Sequence, residues 1–277
     1  VIRIVTDSTA DLSSDIVKDL NLTVAPVHVH FGSEVYQDGV DITPSEIYQK
    51  LDSAPVHPTT SQPNPEDILA LYRNLGQEDE GIVSIHISSE ISGTVNSARI
   101  AAGMYPDSPV EIIDSRFNSV GLGLVVQAAA RVAKAGGKMA EVVAEARQAV
   151  SQVDMLGLFD TLKYVYRGGR ISRAKFTVGS LIGIKPILNF KDGKLHQAGV
   201  VRSYTAGMVR LEKFVRSSRN ISDLAIAHSA VPDKAEELKH KLGEFFEFER
   251  IQIHELGAAL GVHGGPGVLL IGIRRAS

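Results

Sequence analysis

Ile82-Val83-Ser84-Ile85-His86-Ile87 runs without a break into Ser88-Ser89-Glu90-Ile91-Ser92-Gly93-Thr94, and the reading of this stretch decides the fold. The first six residues form a short apolar, β-branched run, the pattern of a buried strand. The next seven are rich in hydroxyls and hold a glycine, so they read as a turn. Good helix formers follow from Thr94 to Gly103, and Val110–Asp114 is again a strand. Strand, turn, helix and strand in this order form the unit of a parallel sheet. The alternation extends upstream, with a strand at Val1–Thr6, a helix at Asp15–Leu20 and a β-branched strand at Leu22–Val29. Thr43-Pro44-Ser45-Glu46 carries an N-cap, a proline at the first helical position and the acidic residue of a capping box, so a helix runs to about Leu51. Further helices are expected from Pro65 to Asn74, over Gly121–Ala135 and over Ala140–Val153, the last two split by Gly136-Gly137. The first half therefore predicts an α/β domain whose mostly parallel sheet carries helices on both faces.

The second half is patterned differently. Met155–Phe159 reads as a strand, followed by a short helix to the turn Arg167-Gly168-Gly169-Arg170. Pro186–Phe190 and Leu195–Val201 flank Lys191-Asp192-Gly193-Lys194, and Asp-Gly between two apolar runs signals a hairpin. Helices at Ala206–Arg216 and Asp233–Glu244 alternate with strands at Leu224–Ala227, Glu249–His254 and Val268–Ile273. This predicts a second α/β domain with a partly antiparallel sheet. The boundary falls near Asp154, giving domains 1–154 and 155–277.

Composition narrows the function. The 277 residues are 44% hydrophobic, enough for a packed core, and 29 basic against 32 acidic residues give no electrostatic reason to expect nucleic acid. Without cysteine there are no disulfides, no thiolate catalysis and no Cys-type zinc site, which fits a reducing compartment. No apolar run approaches the roughly 18–20 residues that span a bilayer, and the chain opens on a strand rather than a basic signal peptide. A cytoplasmic protein without stable membrane insertion is expected.

Three segments carry the candidate chemistry. His263-Gly264-Gly265-Pro266-Gly267 is too rich in glycine and proline for a helix and reads as a sharp turn with bare amides, that of Gly265 among them. Ser92-Gly93-Thr94 stands where a strand gives way to a helix, so its hydroxyls and free N–H groups favour an anion; alternatively, Ser92 only caps the helix. Thr59-Thr60-Ser61-Gln62-Pro63 reads as a turn of the same character and offers further hydroxyls, on a backbone that two prolines hold extended. Together they suggest one oxyanion-binding site. Arg170 and Arg202 would each neutralise an anion or form a salt bridge, and Asp7 and Asp114, at the carboxyl ends of strands, would contact a ligand or cap the following turns. No P-loop, G-x-G-x-x-G, G-x-S-x-G or zincin motif occurs, and no cofactor or metal is expected. The site reads as one that holds an anion without cleaving it.

Thr6-Asp7-Ser8-Thr9-Ala10-Asp11-Leu12, Thr60-Ser61-Gln62-Pro63, Ser88 to Thr94, Asp114-Ser115, Gly168-Gly169-Arg170-Ile171-Ser172, Lys185-Pro186-Ile187 and the His263 segment occur in an order that resembles the DegV family of bacterial fatty-acid-binding proteins. The resemblance implies a two-domain carrier that buries one long-chain fatty acid between its domains and presents it to a separate ATP-dependent fatty acid kinase, which makes an acyl phosphate. It implies that Thr60 and Ser92 bind the carboxylate, with Ser61, Gly93, Thr94, Gly265 and Arg170 around it and His263 beside it. Arg170 and Arg202 match family arginines near the carboxylate or on the kinase-facing surface, and Arg202 is the one assigned to the partner. Two residues depart from the pattern: Glu90 stands where a small residue is usual, so it must point to solvent or affinity suffers, and Gly264 replaces a common Thr. The competing reading is an enzyme on a small carboxylate or phosphorylated substrate, with His263 as acid/base and the Ser92 turn as oxyanion site.

Overall fold

The structure, a computed structural model, describes residues 1–53, 56–75, 80–171 and 183–276; Ser172 of the Gly-Gly-Arg motif lies outside them. In chain order the elements are β1 (Ile2–Asp7), α1 (Ser14–Asp19), β2 (Leu22–Ala25), β3 (His28–Phe31), β4 (Glu34–Gln37), α2 (Pro44–Ser53), β5 (Thr59–Ser61), α3 (Pro65–Asn74), β6 (Gly81–His86), α4 (Thr94–Gly103), β7 (Val110–Asp114), α5 (Ser119–Lys134) and α6 (Met139–Gln152). Then come β8 (Val153–Leu158), α7 (Lys163–Arg167), β9 (Lys185–Lys191), β10 (Lys194–Val201), α8 (Tyr204–Ser217), β11 (Ile221–His228), α9 (Pro232–Leu242), β12 (Ile251–Glu255), α10 (Ala258–Gly264) and β13 (Leu269–Arg275).

The first sheet has the order β2-β1-β6-β7 and is parallel throughout. Successive residues of a strand face opposite ways, and both faces are covered. Ile4, Val83 and Ile85 pack with α5 and α6, whereas Val5 and Ile82 pack with α3 and α4. The second sheet, β10-β9-β8-β13-β11-β12, is antiparallel except for the β11–β12 pair. Leu158, Ile226 and Ile271 turn towards α8 and α9. Met155, Leu188 and Leu270 turn the other way, into the core shared with α5. That helix touches strands of both sheets and is buried on nearly every side. Gly272 of β13 lets it lie close, since a methyl there would stand 3.0 Å from Val120 Cγ2.

The capping box forms as the sequence predicts: Thr43 N donates to Glu46 Oε2 at 2.8 Å, and Glu46 N to Thr43 Oγ1 at 3.4 Å. Three local readings need correction. Leu22–Val29 is two strands, because Pro26 cannot donate to a ladder; β2 joins the first sheet, and β3 joins a small antiparallel sheet of order β4-β3-β5. Thr59–Ser61 is the third strand of that sheet rather than a turn, with Thr60 opposite Val29. His263 and Gly264 end a helix. Ala258, Ala259 and Val262 pack against Val29, Ile47 and Tyr48, and this burial outweighs the poor propensity of glycine. The helix stops at Gly265, whose φ of +71° suits glycine. No helix among the described residues is long and apolar enough to cross a membrane.

Candidate functional site

A cavity of about 930 Å³, mouth included, lies between the inner face of the second sheet and the carboxyl ends of β1 and β6. Thr60, Ser61, Gln62, Ser92, Gly93, Arg170 and His263 give it polar groups. Met155, Phe159, Leu188, Phe190, Leu260 and Leu270 contribute to an apolar remainder.

The polar groups converge through packing of distant segments. Docking of α10 on the small sheet brings His263 Nε2 to 2.7 Å from Thr60 Oγ1. His263 Nδ1 is buried without a hydrogen-bond partner among the described residues; with the ring proton on Nε2, the ring donates to Thr60 Oγ1 and leaves no buried N–H unpaired. Thr60 Oγ1 accepts that proton and keeps its own for donation into the cavity. Burial, with Arg170 and His57 nearby, pushes the His263 pKa down to about 3. The ring is therefore a neutral orienting group at ordinary pH and a poor acid/base, which counts against the enzymatic reading. Ser92 Oγ lies 2.9 Å from Thr94 Oγ1 and 3.3 Å from Thr94 N. Gly93, the N-cap of α4, packs directly on the Gln62 side chain, where a methyl would stand 3.0 Å from Gln62 Cδ. Arg170 is half-buried, its Nε 3.4 Å from Ile91 O, and burial lowers its pKa.

Of the residues singled out from sequence, Thr60, Ser61, Ser92, Gly93, Arg170 and His263 meet in this cavity. Thr94 is buried behind Ser92 and is not part of the wall. Gly265 lies outside the wall and its amide is not bare: it donates to Gly261 O at 2.8 Å, and the Gly265 carbonyl accepts from Ser229 Oγ at 2.6 Å. Arg202 is exposed just past β10, away from the cavity lining. Asp7 and Asp114 serve as local acceptors: Asp7 takes protons from His86 Nδ1 and Ile87 N, both at 3.0 Å, and Asp114 from Arg116 N at 2.9 Å. Glu90 is exposed and pairs with Lys194 at 2.9 Å, which keeps its charge out of the cavity. Sequence reasoning missed the wall positions of Thr9 and Asn118 and gave no separate role to Gln62, although Gln62 stood inside a quoted motif.

Acidification tests the neutral state of His263. From its ordinary value of 6.5 down to about 3, the unfolded chain takes up a proton that the folded ring refuses, so stability is lost as pH falls through that window. His254, pushed to about 4 by burial, adds in the same direction. Asp11 and Asp38, held above the usual carboxylate range chiefly by burial, oppose it. In urea unfolding at pH 7 and pH 5, a His263→Gln variant should lose about 2 kcal/mol less than the parent. Equal losses would show that His263 is not held neutral.

Fold and cavity together define a two-sheet α/β protein with an internal slot in which a cluster of polar groups around Thr60, Gln62 and His263 meets a largely apolar wall. The chain belongs to the DegV family, described as "Uncharacterised protein, DegV family", which it matches over residues 1–275. A DegV domain-containing protein of Streptomyces coelicolor is 35% identical over 273 residues, 97% of this chain and 96% of its own. Among solved structures, a DegV family protein from Thermus thermophilus described for fatty acid binding superposes with a TM-score of 0.92 at 33% identity, with 99% of each chain covered. DegV of Bacillus subtilis, described as a fatty acid binding protein, gives a TM-score of 0.88 at 28% identity, again over 99% of each chain.

Proposed function

We propose that this protein binds one long-chain fatty acid in the slot, with the carboxylate at Thr60, Ser92 and Arg170 and the chain among the apolar residues. The observation that carries this reading is the meeting of Thr60, Ser92, Arg170 and His263 in one cavity whose wall is otherwise largely apolar. A carboxylate withdrawn from water loses several kcal/mol of hydration, so it needs donors and a positive charge. Thr60, freed to donate by His263, Ser92 and the half-buried Arg170 supply them. Each buried methylene contributes roughly 0.8 kcal/mol, so a sixteen-carbon chain gains on the order of 10 kcal/mol before the costs of association and ordering. The tail sets affinity and the head group sets orientation. Titration of delipidated protein with palmitate should give one site per chain; no saturable binding would refute the reading.

The protein is a carrier rather than an enzyme, and it acts in the cytoplasm, where a separate ATP-dependent kinase phosphorylates the presented carboxylate. We divide the chain near Asp154 into domains 1–154 and 155–277, because the first and the small sheet lie wholly before that point and the second sheet lies after it apart from Val153 and Asp154, the first residues of β8. Arg202, exposed after β10, is assigned to the partner-facing surface. Arg202→Ala should keep its bound lipid and lower acyl-phosphate formation with a cognate kinase. Loss of lipid would place the residue at the head group, and no change in either quantity would make it an ordinary surface arginine.

A further inference from the structure

Asn118 lines the cavity without serving the fold. It is the N-cap residue of α5 by position, yet its side chain makes no capping hydrogen bond. Its amide oxygen is buried and has no hydrogen-bond partner among the described residues. It follows Phe117, whose ring packs on Phe190 of β9 with centroids 5.7 Å apart and whose carbonyl accepts from Ser88 N at 2.8 Å, so it stands between the hairpin and the turn that carries Ser92. Thr60, Gln62, Gly93 and His263 are gathered around β5 and the end of α10. Thr9 and Asn189 are further polar residues of the wall, and the Thr9 hydroxyl gives its proton to Asp7. Thr9 cannot donate to a carboxylate, but it can accept from an alcohol.

An amide with an unpaired buried oxygen is costly, and folded proteins rarely keep one without a use. A plain hydrocarbon chain passing Asn118 cannot relieve that cost, and neither can a double bond. A ketone would accept from the amide nitrogen but leave the amide oxygen without a donor. A hydroxyl both accepts and donates. Resting on the fatty-acid reading, the geometry points to a hydroxylated fatty acid as the preferred ligand, with Asn118 as the residue that selects the chain hydroxyl. Asn118 is then a specificity residue distinct from the carboxylate donors Thr60, Ser92 and Arg170.

The test is a competition series on delipidated protein, using stearate and hydroxystearates with the hydroxyl at successive positions along the chain. At least one positional isomer should bind about tenfold more tightly than stearate. In Asn118→Leu that preference should vanish or invert while stearate binds at least as well as in the parent. Should that variant misfold, Asn118→Ala replaces it, and the parent series needs no variant. Stearate equal to or better than every isomer in the parent protein would overturn the inference and leave fatty-acid binding intact. A preference that survives substitution would overturn the role of Asn118, and binding of neither stearate nor any isomer would overturn the fatty-acid reading itself.

Discussion

A Thr60→Ala, Ser92→Ala double variant should bind palmitate at least about a hundredfold more weakly than the parent while keeping its fold. Each hydroxyl removed from a carboxylate deletes a charge-assisted hydrogen bond worth about 1.5–3 kcal/mol, so two losses combine to that size or more. Neither side chain is needed by the core. Thr60 Oγ1 has His263 as its partner, and Ser92 bonds locally to Thr94. Calorimetry gives the affinity, and thermal unfolding of the ligand-free forms checks the fold. An unchanged affinity in a folded double variant would remove both residues from the head-group site. The single variants separate their shares, and the two should couple, because residues that hold one group seldom act additively.

Gly168→Ala should weaken palmitate binding by about tenfold to a hundredfold although Gly168 offers no side chain to the ligand. The backbone there has φ −71°, ordinary for any residue, so alanine adds no torsional strain. Its methyl, however, would stand 2.0 Å from His263 Nδ1 and 2.8 Å from Cε1, far inside van der Waals contact. The ring must move, and the 2.7 Å bond that frees the Thr60 proton is lost. Overpacking of this kind costs about 1–3 kcal/mol of stability as well. A Gly168→Ala, His263→Ala double variant removes the clash and should bind no worse than His263→Ala alone. If Gly168→Ala binds palmitate normally, the Thr60–His263 contact does not orient the hydroxyl.

Local patterns in the sequence recovered most of the framework. Pro65–Asn74, the Thr43 capping box and the Asp192-Gly193 hairpin need only short-range chemistry, and the structure has each of them. The small sheet was illegible for a physical reason: Val29 pairs with Thr60 across a long stretch of chain, and β4, Glu-Val-Tyr-Gln, lacks a clear apolar run. Helix α10 was hidden because its stability comes from burial of Ala258 and Val262, which outweighs the glycines at its end. The segments that hold Thr60 and Ser92 could be marked as hydroxyl-rich, and the resemblance to the DegV family is what implied those two residues as carboxylate ligands. Asn118 could not be singled out, because an asparagine before a helix reads as a cap, and only the structure shows that its side chain does no capping.

Denaturing mass spectrometry of small molecules released from freshly purified protein tests the central claim most directly. One long-chain fatty acid per protein molecule is the expected result, because the empty slot would leave its apolar wall facing water. A small polar metabolite at that stoichiometry, or repeated preparations that carry no lipid and take up none when it is supplied, would contradict it.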